Sequence, residues 1–157
     1  MKNDLAQIFL DEARQLELIV AELYALFAKS FPEDYDFWHQ LAHEEKDHAA
    51  LIDAIRSNPN LSRQFVSSSA PELLKEIQEI NEWLSLLKVE FSEGKPDRKT
   101  AFATAVKIEE SAGEINYLNF MTKQTDSWIL IGLQHIHKYD LDHLERLKKY
   151  MKENNIL

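Results

Sequence analysis

Apolar residues recur at steps of three and four along five segments of the chain, which is the spacing of one face of an α-helix. Residues that end or break helices separate the segments, at Ser30-Phe31-Pro32, Asn58-Pro59-Asn60 and Glu93-Gly94-Lys95-Pro96. The pattern predicts helices over about 3–29, 33–57 and 71–91, a fourth from after the break at Pro96 to about 123, and a fifth over about 127–153. The predicted core positions are Leu10, Ala13, Val20, Tyr24 and Phe27; Leu41, Ile52 and Ile55; Leu73 or Leu74, Ile77, Ile80, Leu84, Leu87 and Phe91; Ala103, Val106, Gly113, Tyr117 and Phe120; and Leu133, Ile136, Leu144, Leu147 and Met151.

The order of these segments predicts an all-α fold. Two long helices joined tightly, a connecting stretch and two more long helices joined tightly is the order of a four-helix bundle with one long crossover. The helix over 71–91 fits the crossover, because about 20 helical residues at 1.5 Å each span roughly the length of such a bundle. It fits equally a fifth helix packed against the outside. A chain of 157 residues is the size of one domain, so we expect residues 1–157 to form a single domain.

The composition of the chain limits the kinds of partner and the cellular compartment that we expect. A formal net charge of -9 disfavours nucleic acid, whose phosphates are bound by Lys and Arg. With no Cys the chain has neither disulfides nor thiolate metal sites, as is usual in a reducing cytoplasm. We see no signal peptide at the N-terminus and no uncharged run of the roughly 18 residues that cross a bilayer. We therefore expect a cytoplasmic protein without nucleic-acid or membrane partners.

Each helix of the predicted bundle places an acid on its apolar stripe. These inward polar residues are Glu17 in the first helix, Glu45 and His48 in the second, Glu110 in the fourth, and Asp140 and His143 in the last. An isolated buried carboxylate is costly, and four that face one another also repel. Two divalent cations neutralise four carboxylates, and two imidazoles complete the coordination. The pattern therefore predicts two metal ions between the helices.

The spacing of these residues supports that prediction. In the second and last helices the acid and the histidine are three residues apart, so they share one helix face. A third pair with this spacing, Asp36 and His39, falls off the stripe through Leu41, and we predict that it lies at the surface.

The two halves of the chain also repeat one layout. Glu17 is followed seven residues later by Tyr24, and Glu110 is followed seven residues later by Tyr117. The acid and histidine pairs come after each tyrosine at similar distances, so the halves are offset by 93 to 95 residues. Repetition of a whole layout is a stronger signal than any of its motifs.

With these motifs the chain resembles the ferritin-like di-iron superfamily, in particular rubrerythrin and bacterioferritin domains. The resemblance is carried by Glu17-Leu-Ile-Val-Ala-Glu-Leu-Tyr24, His43-Glu-Glu45-Lys-Asp-His48-Ala, Glu110-Ser-Ala-Gly-Glu-Ile-Asn-Tyr117 and Asp140-Leu-Asp-His143. It covers most of the chain apart from about 58–95. It implies a ferritin-like four-helix bundle that binds two iron ions, with manganese as the alternative metal.

The resemblance also implies a role for each residue. By position, Glu17 and His48 would bind one metal, Glu110 and His143 the other, and Glu45 and Asp140 would bridge the two. Tyr24 and Tyr117 would lie beside the ligands or the bound oxygen species, although both also fit as core aromatics. A register error of one residue would exchange some ligands with acids beside them, which are Glu44, Glu109, Glu114 and Asp142.

The sequence departs from the family pattern at several points. Asp140 stands where the family usually has Glu, which puts the bridge and the second metal in doubt. Gly113 stands where rubrerythrins often carry an additional Glu ligand. No Cys-rich rubredoxin module is present, so we expect a separate electron donor. The chain also stops at Leu157 without the short last helix of ferritin cages, so we expect a homodimer.

Three functions remain open from the sequence. The leading one is a di-iron oxidoreductase that reacts with peroxide or dioxygen, either as a peroxidase or in ferrous iron oxidation. The second is an iron-handling or metal-sensing bundle with little turnover. The third is a structural bundle whose inward acids are protonated or hydrated. A hemerythrin-type oxygen carrier is disfavoured, because two of the four helices have no His.

Overall fold

The computed structural model describes residues 2–59, 70–115 and 128–156, and within these ranges it contains helices and their connections without any strand. The fold is therefore all-α, as predicted. Its helices are α1 (Lys2–Ser30), α2 (Tyr35–Arg56), α3 (Ala70–Glu93), α4 (Arg98–Ile115) and α5 (Trp128–Glu153), with a 3₁₀ turn at Pro32–Asp34 before α2. Across the part of the chain that the structure describes, none of these helices has the length and apolarity required to cross a membrane.

The described chain divides into two compact units, residues 1–92 with α1 to α3 and residues 93–157 with α4 and α5. The single domain over 1–157 stays a prediction. The connecting stretch before the third predicted helix and the turn before the last one fall largely or wholly outside the described residues.

In the first unit α1 and α2 form an antiparallel hairpin whose apolar stripes face each other. All eight core positions predicted for these two helices are buried, and they are Leu10, Ala13, Val20, Tyr24, Phe27, Leu41, Ile52 and Ile55. Arg14 pairs with Asp53 at 3.3 Å on the hairpin surface, and Arg56 pairs with Asp11 beside it. Exposed pairs of this kind stabilise little, so burial of the apolar stripes holds the hairpin together.

Helix α3 packs on α1 through apolar residues and one buried amide. Ile77, Leu84 and Phe91 are buried, and the ring of Phe91 lies 5.8 Å from that of Phe27. Between Ile77 and Leu84 along α3, the Nδ2 group of Asn81 donates hydrogen bonds to the backbone oxygen of Glu12 at 2.9 Å and to the Glu12 carboxylate at 2.7 Å. The amide therefore fixes the register of α3 against α1.

We expect Asn81→Ala to lower the free energy of unfolding by about 1–3 kcal/mol, because two short, partly buried hydrogen bonds are lost together. Gln78→Ala is the control, since Gln78 reaches the same Glu12 carboxylate only at 3.4 Å and from a partly buried position. Urea denaturation measures both changes. Equal stability of the Asn81 variant and the wild type would contradict the role given to this amide.

In the second unit α4 begins at a capped turn. The Oδ1 atom of Asp97 accepts a hydrogen bond from the backbone N–H of Thr100 at 2.7 Å, which is the usual N-cap arrangement. That backbone hydrogen bond, together with a second one from the Thr100 side chain, lowers the pKa of Asp97. The predicted break before this helix is thereby confirmed.

The face that α4 buries differs by one residue from the predicted one. Phe102, Ala105 and Ile108 are buried, whereas the predicted core residue Ala103 is exposed and Val106 is half-buried. The ring of Phe102 stacks on that of Tyr150 in α5, with centroids 5.6 Å apart. Burial of the largest apolar residue decides the register, and it turns the predicted stripe toward solvent.

Candidate metal centre

In the first unit three titratable side chains converge inside the α1–α2 hairpin. Glu17, Glu45 and His48 each offer a ligand atom within 4.8 Å of the other two. The Nδ1 atom of His48 lies 3.0 Å from the Glu45 carboxylate and 3.6 Å from that of Glu17. None of the three residues is more than 6% exposed. The antiparallel hairpin explains the geometry, because the middle of α1 lies opposite the middle of α2.

Burial changes the protonation of this group. Desolvation, reinforced by repulsion from Glu45, raises the pKa of Glu17 to about 8. Desolvation alone would lower the pKa of His48, but its hydrogen bonds and charge interactions with Glu17 and Glu45 outweigh that effect and raise the pKa to about 10. In the metal-free hairpin burial and the Glu45 charge therefore favour the protonated form of Glu17, and the two carboxylates favour the protonated form of His48.

In the second unit a shorter version of this group lies between α4 and α5. The Nδ1 atom of His143 is 3.7 Å from the Glu109 carboxylate. The histidine is fully buried and the glutamate is 3% exposed. One acid from the first helix of a pair and one histidine from the second thus meet in each unit, although the acid of the second unit is Glu109 and not the Glu110 of the repeated sequence layout.

Comparisons with models of known protein families, with curated proteins and with solved structures found no significant match. The resemblance to ferritin-like proteins therefore rests on the four sequence motifs.

The donor set of the first unit fits a divalent transition metal. Two carboxylates and one imidazole combine ligands that suit manganese, iron and zinc. Two ionised carboxylates also balance the charge of one such ion, which removes the cost of burying them alone. The pair of the second unit, Glu109 and His143, provides two donors of the same kinds. Buried Glu and His groups of this composition are able to hold metal ions.

The predicted ligand Glu110 does not point inward. Its side chain is 56% exposed and lies 3.7 Å from Lys148, while its neighbour Glu109 occupies the buried position. The correction has the same cause as the shifted core face of α4, because the whole helix is turned by one residue. Tyr117 and the side chain of Asp140 lie outside the described residues, so their predicted roles stay predictions.

Tyr24 lies two helical turns from Glu17 in an aromatic cluster. Its ring is fully buried, 5.5 Å from Trp38 and 6.3 Å from Phe27. Trp38 precedes Glu45 by seven residues just as Tyr24 follows Glu17 by seven, so the antiparallel hairpin brings the two rings together. The cluster is consistent with the core interpretation of Tyr24, and its role beside the ligands stays a prediction.

Glu109 and Glu110 provide a matched pair of variants. We expect Glu109→Gln to weaken the binding of one metal ion by at least about tenfold, as the loss of a ligand or its support does in metal sites. Glu110→Gln should leave metal binding unchanged, because its carboxylate is at the surface. Equilibrium dialysis with Mn²⁺ measures both. Weaker binding in the Glu110 variant alone would restore the register that the sequence predicted.

Proposed function

We propose that this protein is a ferritin-like di-iron carboxylate protein that reacts with hydrogen peroxide or dioxygen. The observation that carries the proposal is the convergence of Glu17, Glu45 and His48 inside an otherwise apolar hairpin. A core that served only packing would gain nothing from three buried polar groups, two of which repel each other when ionised. A bound cation would be coordinated by these three groups and would neutralise the charge of the two carboxylates.

In the proposed centre each of the two units binds one metal ion. Glu17 and His48 would hold one ion and Glu109 and His143 the other, with Glu45 and Asp140 as additional carboxylate ligands. This arrangement needs the two helix pairs to form one ferritin-like four-helix bundle with α3 as its crossover. It is supported by the repeated layout of the sequence and by the acid and histidine contact found inside each unit.

The proposed chemistry is a two-electron reduction. When bound, two ferrous ions would supply the two electrons, and solvent the two protons, that reduce hydrogen peroxide to two water molecules. The residues of the chain would hold the ions in place and exclude bulk water from them. A separate electron donor restores the ferrous state, because the chain has no Cys for an iron–sulfur module. A homodimer is part of the same proposal.

The proposal is tested by anaerobic loading with Fe²⁺ followed by titration with hydrogen peroxide. We expect one peroxide to be consumed for every two ferrous ions, much faster than by free Fe²⁺, and we expect Glu45→Gln to abolish the protein-dependent rate. Glu110→Gln serves as the control and should behave as the wild type. If the chain binds iron but consumes peroxide no faster than free Fe²⁺ does, the iron-handling function replaces the oxidoreductase.

A further inference from the structure

Helix α2 carries a second set of potential metal ligands on its exposed side. His39 and His43 are four residues apart, and both are exposed. Asp36 lies one turn before this pair and Asp47 one turn after it, and both acids are exposed as well. At 100° per residue the four positions fall within one narrow face of the helix. They are separate from Glu45, which α2 turns toward its buried side.

The spacing of the two histidines suits a chelate. Side chains at positions i and i+4 of a helix are neighbours, about 6 Å apart along its axis, and two histidines so placed are a known arrangement for holding zinc. The ring of Tyr35 stacks on that of His39, with centroids 5.3 Å apart and planes inclined by 20°. Exposed rings change rotamer within nanoseconds, so a metal ion is able to draw the two imidazoles together.

The charges around the pair favour a cation. Asp36 and Asp47 extend the stripe at both ends, and Lys46 is the exposed cation nearest to it in sequence, three residues after His43. The neighbouring Gln40 and Glu44 interact with each other, because the side-chain amide of Gln40 donates a hydrogen bond to the Glu44 carboxylate at 3.0 Å.

We propose that His39 and His43 form a surface site for one borderline divalent ion of the zinc or nickel type. Two imidazoles favour such ions, whereas the carboxylate-rich buried group also suits iron and manganese. Two protein ligands leave the remaining positions to water or to one of the flanking acids, so the ion exchanges readily with solvent. The site is independent of the proposed function, because none of its residues belongs to the buried group.

The test measures Ni²⁺ binding to the full chain by calorimetry and by retention on immobilised Ni²⁺. We expect His39→Ala and His43→Ala each to weaken Ni²⁺ binding by at least about tenfold, because the chelate becomes a single imidazole. The double variant His43→Gln/Lys46→His keeps the number of histidines but places them two turns apart. All of the changed positions are exposed, so the fold should be undisturbed.

Two controls decide between surface and buried binding. His135→Ala removes an exposed histidine of α5 and should leave retention unchanged. Glu17→Gln alters the buried group and should also leave retention unchanged. Wild-type affinity in the respaced double variant would overturn the proposal. So would loss of retention in the Glu17 variant with full retention in the His43 variant.

Discussion

Replacing Glu17 by Gln is expected to remove most of the stabilisation that metal ions give this protein without weakening the metal-free fold. Glu17 is 3% exposed and shares its site with Glu45, so burial and repulsion both oppose its charge. An amide of the same shape removes that cost in the metal-free chain. The amide is also a much weaker metal ligand than the carboxylate that it replaces. Residues retained for function often show this opposition between stability and activity.

The expected effect is large and easily measured. A ligand present at a thousand times its dissociation constant raises the free energy of unfolding by about 4 kcal/mol, and the variant should lose most of this gain. Calorimetry with a chelator gives the stability of the metal-free protein, and calorimetry with Mn²⁺ gives the stability that the metal adds. Glu22→Gln is the matched control, because Glu22 lies on the same helix but is exposed and paired with Lys88. A Glu17 variant that still gains stability from Mn²⁺, or one that unfolds without metal, would contradict this account.

The stability of the metal-free protein is expected to fall as the pH rises through neutrality. The pKa of Glu17 is raised from 4.5 to about 8 and that of His48 from 6.5 to about 10, so the folded chain keeps protons that the unfolded chain has released. Stability from such groups is complete below the unfolded pKa and is lost as the pH approaches the folded pKa. Between about pH 6.5 and 8 the folded site therefore holds at least one proton that the unfolded chain has released, and each such proton lowers the folding constant by up to about tenfold per pH unit.

Metal ions should reverse this dependence. A cation displaces the protons of Glu17 and His48, so its apparent affinity rises with pH over the same range. Urea midpoints measured with a chelator and with Mn²⁺ between pH 6 and 9 test both statements, and Glu17→Gln should flatten the metal-free curve. A metal-free protein that grows more stable from pH 6.5 to 8 would refute the protonation assigned to the site.

The helices of the fold were predictable because their signals are strong. Long stripes such as Leu10 to Phe27 bury the same face whether judged from sequence or structure, and proline marks the breaks. The register of α4 was not predictable from the same rule, because alanines at 101, 103 and 105 lie on several faces and give no contrast. Phe102 and Ile108 carry the signal, since they are the bulky apolar residues whose burial is worth most. The packing of α3 through Asn81 left no pattern in the sequence.

The residues of the candidate site were predictable on those helices whose apolar stripe was itself predicted correctly. Glu17, Glu45, His48 and His143 are buried as the sequence predicted, because each interrupts a run of clearly apolar neighbours. Glu110 is exposed because its helix was misread by one residue, and its neighbour Glu109 is buried instead. The choice of metal and the reaction depend on electronic properties that hydrophobic periodicity does not encode.

The metal content of the chain tests the central claim most directly. We expect about two iron or manganese ions per chain after anaerobic reconstitution and removal of loosely bound metal, and about one or fewer in Glu17→Gln and in Glu109→Gln. Glu110→Gln should match the wild type. A wild-type chain that retains no metal under these conditions, with Glu17, Glu45 and His48 intact, would contradict the account.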